Sequence, residues 1–196
     1  LRFGSHSNLF SEKFIHQGFN LERELRLLFF GRILNYKGID VLIRAYDLMV
    51  KKGMNVELTV AGEGRIEDWI LREIKRLNIN LINRWITEDE LLEILKGTDI
   101  VVAPYKEASQ SGPVSIATAL GIPVIATKVG GLVEQVLDGI NGILIEPEDP
   151  ETLCKAVERV YYDRNLLIKL SEGAKFLSRS QLSWDNIVKE MEEIWE

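Results

Sequence analysis

Two short stretches of this chain carry residue types that could do chemistry. Tyr105-Lys-Glu-Ala-Ser-Gln-Ser-Gly-Pro113 joins the apolar run Ile100-Val-Val-Ala103 to a helical pattern through small polar residues. Ser111 is a helix-capping type, Gly112 lets a ligand approach the backbone, and Pro113 suits a first helical turn. The unpaired N–H groups at such a helix start would face a phosphate. Earlier, Leu25-Arg-Leu-Leu-Phe-Phe-Gly-Arg-Ile-Leu-Asn-Tyr-Lys-Gly38 also runs from an apolar strand into a glycine-bearing loop, and this loop carries the cations Arg32 and Lys37. Backbone donors on one loop and positive side chains on another amount to the chemistry of anion capture. Spacing alone leaves two plainer accounts open: Ser109 to Pro113 as a well-capped helix start with no ligand, and Arg32 and Lys37 as solvated loop cations.

The elements that must position these loops can be read from periodicity. Six strands are expected, at Leu25 to Phe30, Asn55 to Ala61, Asn80 to Asn83, Asp99 to Ala103, Pro123 to Ala126 and Gly142 to Ile145. Amphipathic helices alternate with them, an order that favours a parallel sheet covered on both faces, with the carboxyl ends of the strands along one edge. Ile39, Leu42, Ile43, Tyr46 and Met49 should form the buried face of the first crossover helix. Thr87 with Glu90 makes a capping box, and Asp149 followed by Pro150 caps another helix. Gly130-Gly131 precedes a short helix over Leu132 to Leu137, where either a ligand approach or a turn requirement would call for glycine. Glu134 on that helix reads as a solvated charge. Beyond Asp163 the strand signal stops: Leu166, Leu167, Leu170, Phe176 and Leu177 mark one helix, and Trp184, Ile187, Val188, Met191, Ile194 and Trp195 a terminal one with Ser183 as its cap.

Composition narrows the function classes. The chain has 196 residues, 46% of them hydrophobic and 28% charged, which suits one domain able to bury its own core. A formal charge of -6, without a basic stripe interleaved with aromatics, argues against broad nucleic-acid binding. No apolar run is long enough for a transmembrane helix. The single Cys154 reads as a buried thiol in the pattern Leu153, Cys154, Val157, Val160 and rules out an internal disulfide. Only His6 and His16 exist, and no spacing matches a metal cage, so no metal is expected. The amino terminus has neither an initiating Met nor a signal-peptide pattern, which suggests a preceding domain that is missing here.

Taken in order, the motifs resemble the carboxyl-terminal domain of retaining glycosyltransferases with two Rossmann-like domains, of the glycosyltransferase family 4 type, group 1. Phe29-Phe-Gly-Arg-Ile-Leu-Asn-Tyr-Lys-Gly-Ile-Asp40 is similar to the family's first strand and its Gly-Arg, Lys-Gly loop, and Leu58-Thr-Val-Ala-Gly-Glu-Gly64 to the next strand and turn. Thr87 to Pro104, Gly121-Ile-Pro-Val-Ile-Ala-Thr-Lys-Val-Gly-Gly131 and Asp138-Gly-Ile-Asn-Gly-Ile-Leu-Ile145 follow in the family's order and spacing. The resemblance implies an α/β, Rossmann-like fold forming one half of a two-domain GT-B enzyme. It divides the chain into a lead-in at 1–24, a nucleotide-sugar-binding domain at 25–163 and carboxyl-terminal helices at 164–196.

The resemblance assigns donor-diphosphate contacts, and so a catalytic role, to Arg32 and Lys37. Donor contacts are implied for Gly31, Glu107, Ser109, Gln110, Ser111, Gly112 and Ser115, including the backbone N–H groups of Ser111 and Gly112, with Trp85 and Ile86 in the base-binding loop. Relatives usually carry two glutamates, with seven residues between them, across the strand-to-helix loop. Here one register puts Ala108 and Ile116 at those positions, and the other pairs Glu107 with Ser115. Gln110-Ser-Gly112 is similar to a variant found in some relatives. The implied function is transfer of a sugar from a nucleotide-diphosphate sugar to an acceptor bound by the missing domain, a hexosyltransferase activity absent from the isolated chain. No cofactor is implied beyond the donor substrate, and the implied location is cytoplasmic, with peripheral membrane attachment open for the full-length protein. A nucleotide-sugar epimerase, a sugar-phosphate-forming synthase, or a non-catalytic nucleotide-binding or scaffold module are the alternatives.

Overall fold

The computed structural model describes residues 22–180, with side chains to residue 178. Its centre is a six-stranded parallel sheet in the order β3-β2-β1-β4-β5-β6. The strands are β1 (Leu25–Phe30), β2 (Val56–Ala61), β3 (Asn80–Ile82), β4 (Ile100–Ala103), β5 (Val124–Thr127) and β6 (Gly142–Ile145). Each of the six lies where the apolar runs placed it, with ends shifted by no more than one residue. The four residues of β4 and of β5 are all buried, as expected of strands covered on both faces.

Among the described residues seven helices connect and cover the strands: α1 (Ile39–Lys51), α2 (Asp68–Arg76), α3 (Glu88–Lys96), α4 (Gly112–Ala119), α5 (Leu132–Gln135), α6 (Pro150–Tyr162) and α7 (Arg164–Ser180). The order of strands puts the β1-to-β3 connections and the β4-to-β6 connections on opposite faces, given right-handed crossovers. α6 then returns to pack against α1, and α7 covers α4. On α1 the stripe Ile39, Leu42, Ile43, Tyr46 and Met49 is buried, and the Tyr46 hydroxyl donates to the Val56 carbonyl at 3.0 Å. The Thr87–Glu90 capping box and the Asp149 cap before Pro150 both form. Leu153, Cys154, Val157 and Val160 all face the core.

Two expectations are corrected. The helix read over Leu132 to Leu137 stops at Gln135, because the buried Asn141 takes over its end. Its Oδ1 accepts from Leu137 N–H at 2.7 Å, and its Nδ2 donates to the Gln135 carbonyl at 2.9 Å. Phe176 is 67% exposed rather than part of the buried face of α7. That face is Leu167, Leu170, Ala174 and Leu177, spaced by three and four residues, and Phe176 falls off the stripe. The terminal helix expected around Trp184 to Trp195, its cap Ser183, and most of the lead-in lie outside the described residues.

Candidate functional site

The strand order reverses direction between β1 and β4, and open α/β sheets form their ligand crevice beyond the carboxyl ends of the strands at such a point. The loops leaving those two strands are the two singled out from sequence. After β1 the chain turns at Gly31, where φ is 101°, and its N–H donates to the Ala61 carbonyl at 3.0 Å. A β-carbon built on Gly31 would lie 3.1 Å from Lys37 Nζ and 3.2 Å from Pro113 Cγ. One glycine therefore has the β1-loop ammonium and the first turn of α4 both against it. The neighbouring Gly62, with φ 143°, would drive a β-carbon to 2.2 Å from the Gly31 carbonyl oxygen, so the β1 and β2 loops are in backbone contact as well.

Lys37 is the anomaly of this region. It is only 8% exposed, ends a short 3-10 turn at Asn35–Lys37, and has no carboxylate partner among the described residues. Its Nζ stands 5.3 Å from the centroid of the Tyr105 ring, whose negative face attracts a cation. Burial lowers the Lys37 pKa below its ordinary value, and the neighbouring charge of Arg32 lowers it further. Tyr105 is itself buried, which pushes its phenol up to about 12, so it remains neutral. Its hydroxyl meets Ser111 Oγ at 3.3 Å. Arg32 is exposed at the rim.

The β4–α4 loop is held from three sides. Lys106 N–H donates to the Tyr36 carbonyl at 2.7 Å, and Lys106 Nζ pairs with Asp40 Oδ2 at 3.0 Å, tying the loop to the start of α1. Thr127 Oγ1 donates to the Tyr105 carbonyl at 2.5 Å. Gly130 and Gly131 pass so close beneath it that β-carbons there would come within 1.7 Å of the Ala108 carbonyl oxygen and 1.8 Å of that of Ser109. Close approach of the protein's own loop thus accounts for this glycine pair.

Ser111 caps α4, its Oγ accepting from Val114 N–H at 3.3 Å. Its own N–H is not free, which corrects the expectation that it would face a ligand: it donates to Gln135 Oε1 at 2.9 Å. Gln135 Nε2 donates in turn to the Ser111 carbonyl at 3.1 Å and to Ser115 Oγ at 2.7 Å. Ser115 N–H bonds the Ser111 carbonyl, and Pro113 has no N–H. The Gly112 N–H is therefore the backbone donor left without a partner at this helix start, among the described residues.

The remaining candidates are spread along the same edge. Glu107, Ser109, Gln110 and Ser115 are exposed, the last in its contact with Gln135. Trp85 is 75% exposed in the loop after β3, two strands from β1, and Ile86 packs partly against the core. An Arg84–Glu90 ion pair at 2.8 Å braces that loop, and Arg84 also donates to the Trp85 carbonyl at 3.0 Å. Glu134 is exposed, as read. Sequence reasoning missed Gln135 and the packing roles of Tyr105 and Thr127. The one available signal for Gln135 was its place beside Leu132 and Val136, the two buried residues of that stretch. Among the described residues no group of three metal-ligating side chains converges, and no helix is long and apolar enough to cross a membrane.

Comparison with known proteins agrees with the geometry. The family profile described as "Glycosyl transferases group 1" matches residues 24–163. An uncharacterized glycosyltransferase of Methanocaldococcus jannaschii is 33% identical over 171 residues, covering 85% of this chain and 43% of the relative. A D-inositol 3-phosphate glycosyltransferase of Corynebacterium kroppenstedtii is 31% identical over 182 residues, covering 87% and 40%. The chain thus spans less than half the length of these relatives. Among solved structures, the C-terminal domain of a glycosyl transferase group 1 family protein of Francisella tularensis superposes with a TM-score of 0.73 at 25% identity, covering 82% of this chain and 87% of that one. HepE of Anabaena, solved in complex with UDP, has the same fold, with a TM-score of 0.75 at 18% identity, covering 89% and 49%.

Proposed function

Because the chain belongs to the glycosyl transferases group 1 family, we propose that it is the donor-binding half of a retaining, hexosyl-transferring glycosyltransferase that takes its sugar from a nucleotide diphosphate. The acceptor, on this reading, binds to a second domain, and this chain alone binds donor without efficient transfer. The observation that carries the reading is Lys37: a largely buried side chain with no carboxylate partner among the described residues, its Nζ beside the opening of α4 where the Gly112 N–H is unpartnered. A cation drawn largely out of water without a counter-charge is costly, and an anionic ligand offsets that cost.

In the reaction, the bond from the sugar's anomeric carbon to the diphosphate oxygen breaks and its electron pair stays with the diphosphate. Negative charge therefore grows on that leaving group. Lys37, Arg32 and the Gly112 N–H stabilise it more in the transition state than in the bound donor, which is what lowers a barrier. Arg32 at the rim can grip two oxygens, whereas Lys37 supplies a point charge. Ser109 and Gln110 contact the sugar from the exposed part of the β4–α4 loop, and the loop carrying Trp85 and Ile86 receives the base. Calorimetric titration of the chain with UDP, GDP and ADP tests this. Saturable binding of at least one, weakened by competing pyrophosphate, is expected; no binding of any of the three would overturn it.

A further inference from the structure

Gln135 makes a pattern of contacts that packing alone does not require. A carboxamide has one acceptor oxygen and two donor hydrogens, and here all are used on the end of the β4–α4 loop and the first turn of α4. Oε1 accepts from the Ser111 N–H, and Nε2 donates to the Ser111 carbonyl and to Ser115 Oγ. Both polar groups of one backbone residue are thus held by one side chain from α5. The Ser111 carbonyl and the Gly112 N–H belong to the same planar trans peptide and point in opposite directions. The Ser111 carbonyl takes the first helical bond of α4 from Ser115 N–H at 3.0 Å, and Gln135 Nε2 holds it in that direction from the side, so the Gly112 N–H of the same peptide is kept pointing out of the helix start. Among the described residues, that N–H is the backbone donor left without a partner in the cap and first turn of α4.

We propose that Gln135 is a positioning residue that orients the Gly112 N–H toward the terminal phosphate of a bound nucleoside diphosphate. The inference rests on the donor-site reading above. Asn141 supports the device: it anchors the end of α5 through the Gln135 carbonyl and reaches Thr118 Oγ1 on α4 at 3.3 Å, so α5 and α4 are fixed relative to each other. Gln135 touches no part of the ligand itself.

The test compares nucleoside mono- and diphosphates of one base, titrated into the wild-type chain and into Gln135→Ala. A hydrogen bond to a charged phosphate is worth enough that its loss lowers diphosphate affinity roughly tenfold, with the monophosphate affinity kept within about twofold. Gln135→Glu retains the acceptor for the Ser111 N–H but sets a carboxylate against the Ser111 carbonyl. It should show the same split, and it provides the test if the alanine variant does not fold. A general loosening of the domain would weaken both ligands alike, and that result, or unchanged affinity for both, overturns the role of Gln135 while leaving the donor site standing. If the wild-type chain binds none of the nucleotides, both readings fall.

Discussion

Lys37 concentrates the physics of this site in one residue. Its side chain is largely buried against Tyr105 and has no carboxylate partner among the described residues, so the ligand-free fold bears a desolvation cost that an anion relieves. Lys37→Met should therefore stabilise the ligand-free chain by about 1 kcal/mol in denaturant unfolding while weakening nucleoside-diphosphate binding by roughly ten- to a hundredfold. The sign of the pH dependence follows from linkage. The folded pKa of Lys37 lies below its ordinary value, so the unfolded chain binds more protons in the window between the two. Wild-type stability relative to the Met variant should rise as pH climbs through that window, and diphosphate affinity should fall over the same range. The two loops that carry Arg32, Lys37, Ser111 and Gly112 were legible in the sequence because each follows a buried apolar strand. Gln135 was not, because its partners lie 24 and 20 residues earlier and no local spacing marks the contact. For the same reason Ser111 was read as having a free N–H.

At the level of elements, the crevice depends on backbones that approach more closely than any side chain allows. Gly38 closes the β1 loop with φ 69°, and a β-carbon there would sit 1.9 Å from the Pro104 carbonyl oxygen at the end of β4. Gly139 has a similar φ of 74° with nothing within 4 Å of its would-be β-carbon. The pair separates strain from clash. Gly139→Ala should cost about 1 kcal/mol, the penalty of the left-handed conformation alone. Gly38→Ala should cost at least about 2 kcal/mol more by chemical denaturation and should weaken diphosphate binding, since relief requires the two loops to part. Equal costs for the two variants would contradict this account. Strands and long helices were legible because each is a run or stripe of apolar residues, as with β4 and the buried face of α1. The short α5 was misjudged at its end because Asn141, a residue beyond the helix, supplies the bonds that stop it. Phe176 misled because an apolar residue next to a buried stripe looks the same, in sequence, as one within it.

On the scale of the whole molecule, the six-stranded sheet brings the loops after β1 and β4 to one edge at the point where strand order reverses, and the family's fold follows from that arrangement. The β4–α4 loop and the start of α4 supply the unpartnered Gly112 N–H but no pair of glutamates with seven residues between them, and on the proposed reading sugar recognition falls to the exposed residues Ser109 and Gln110. The relatives are more than twice as long as the matched region, and the proposed reading assigns the acceptor to a part of such enzymes outside this domain. The most direct measurement is a crystal structure of the chain soaked with the nucleoside diphosphate that binds most tightly in solution. The account predicts the terminal phosphate between Lys37 Nζ and the Gly112 N–H, within hydrogen-bonding distance of both and with the Ser111–Gln135 bonds intact. A diphosphate bound elsewhere on the domain, or bound in the crevice with Lys37 out of reach of either phosphate, would contradict it.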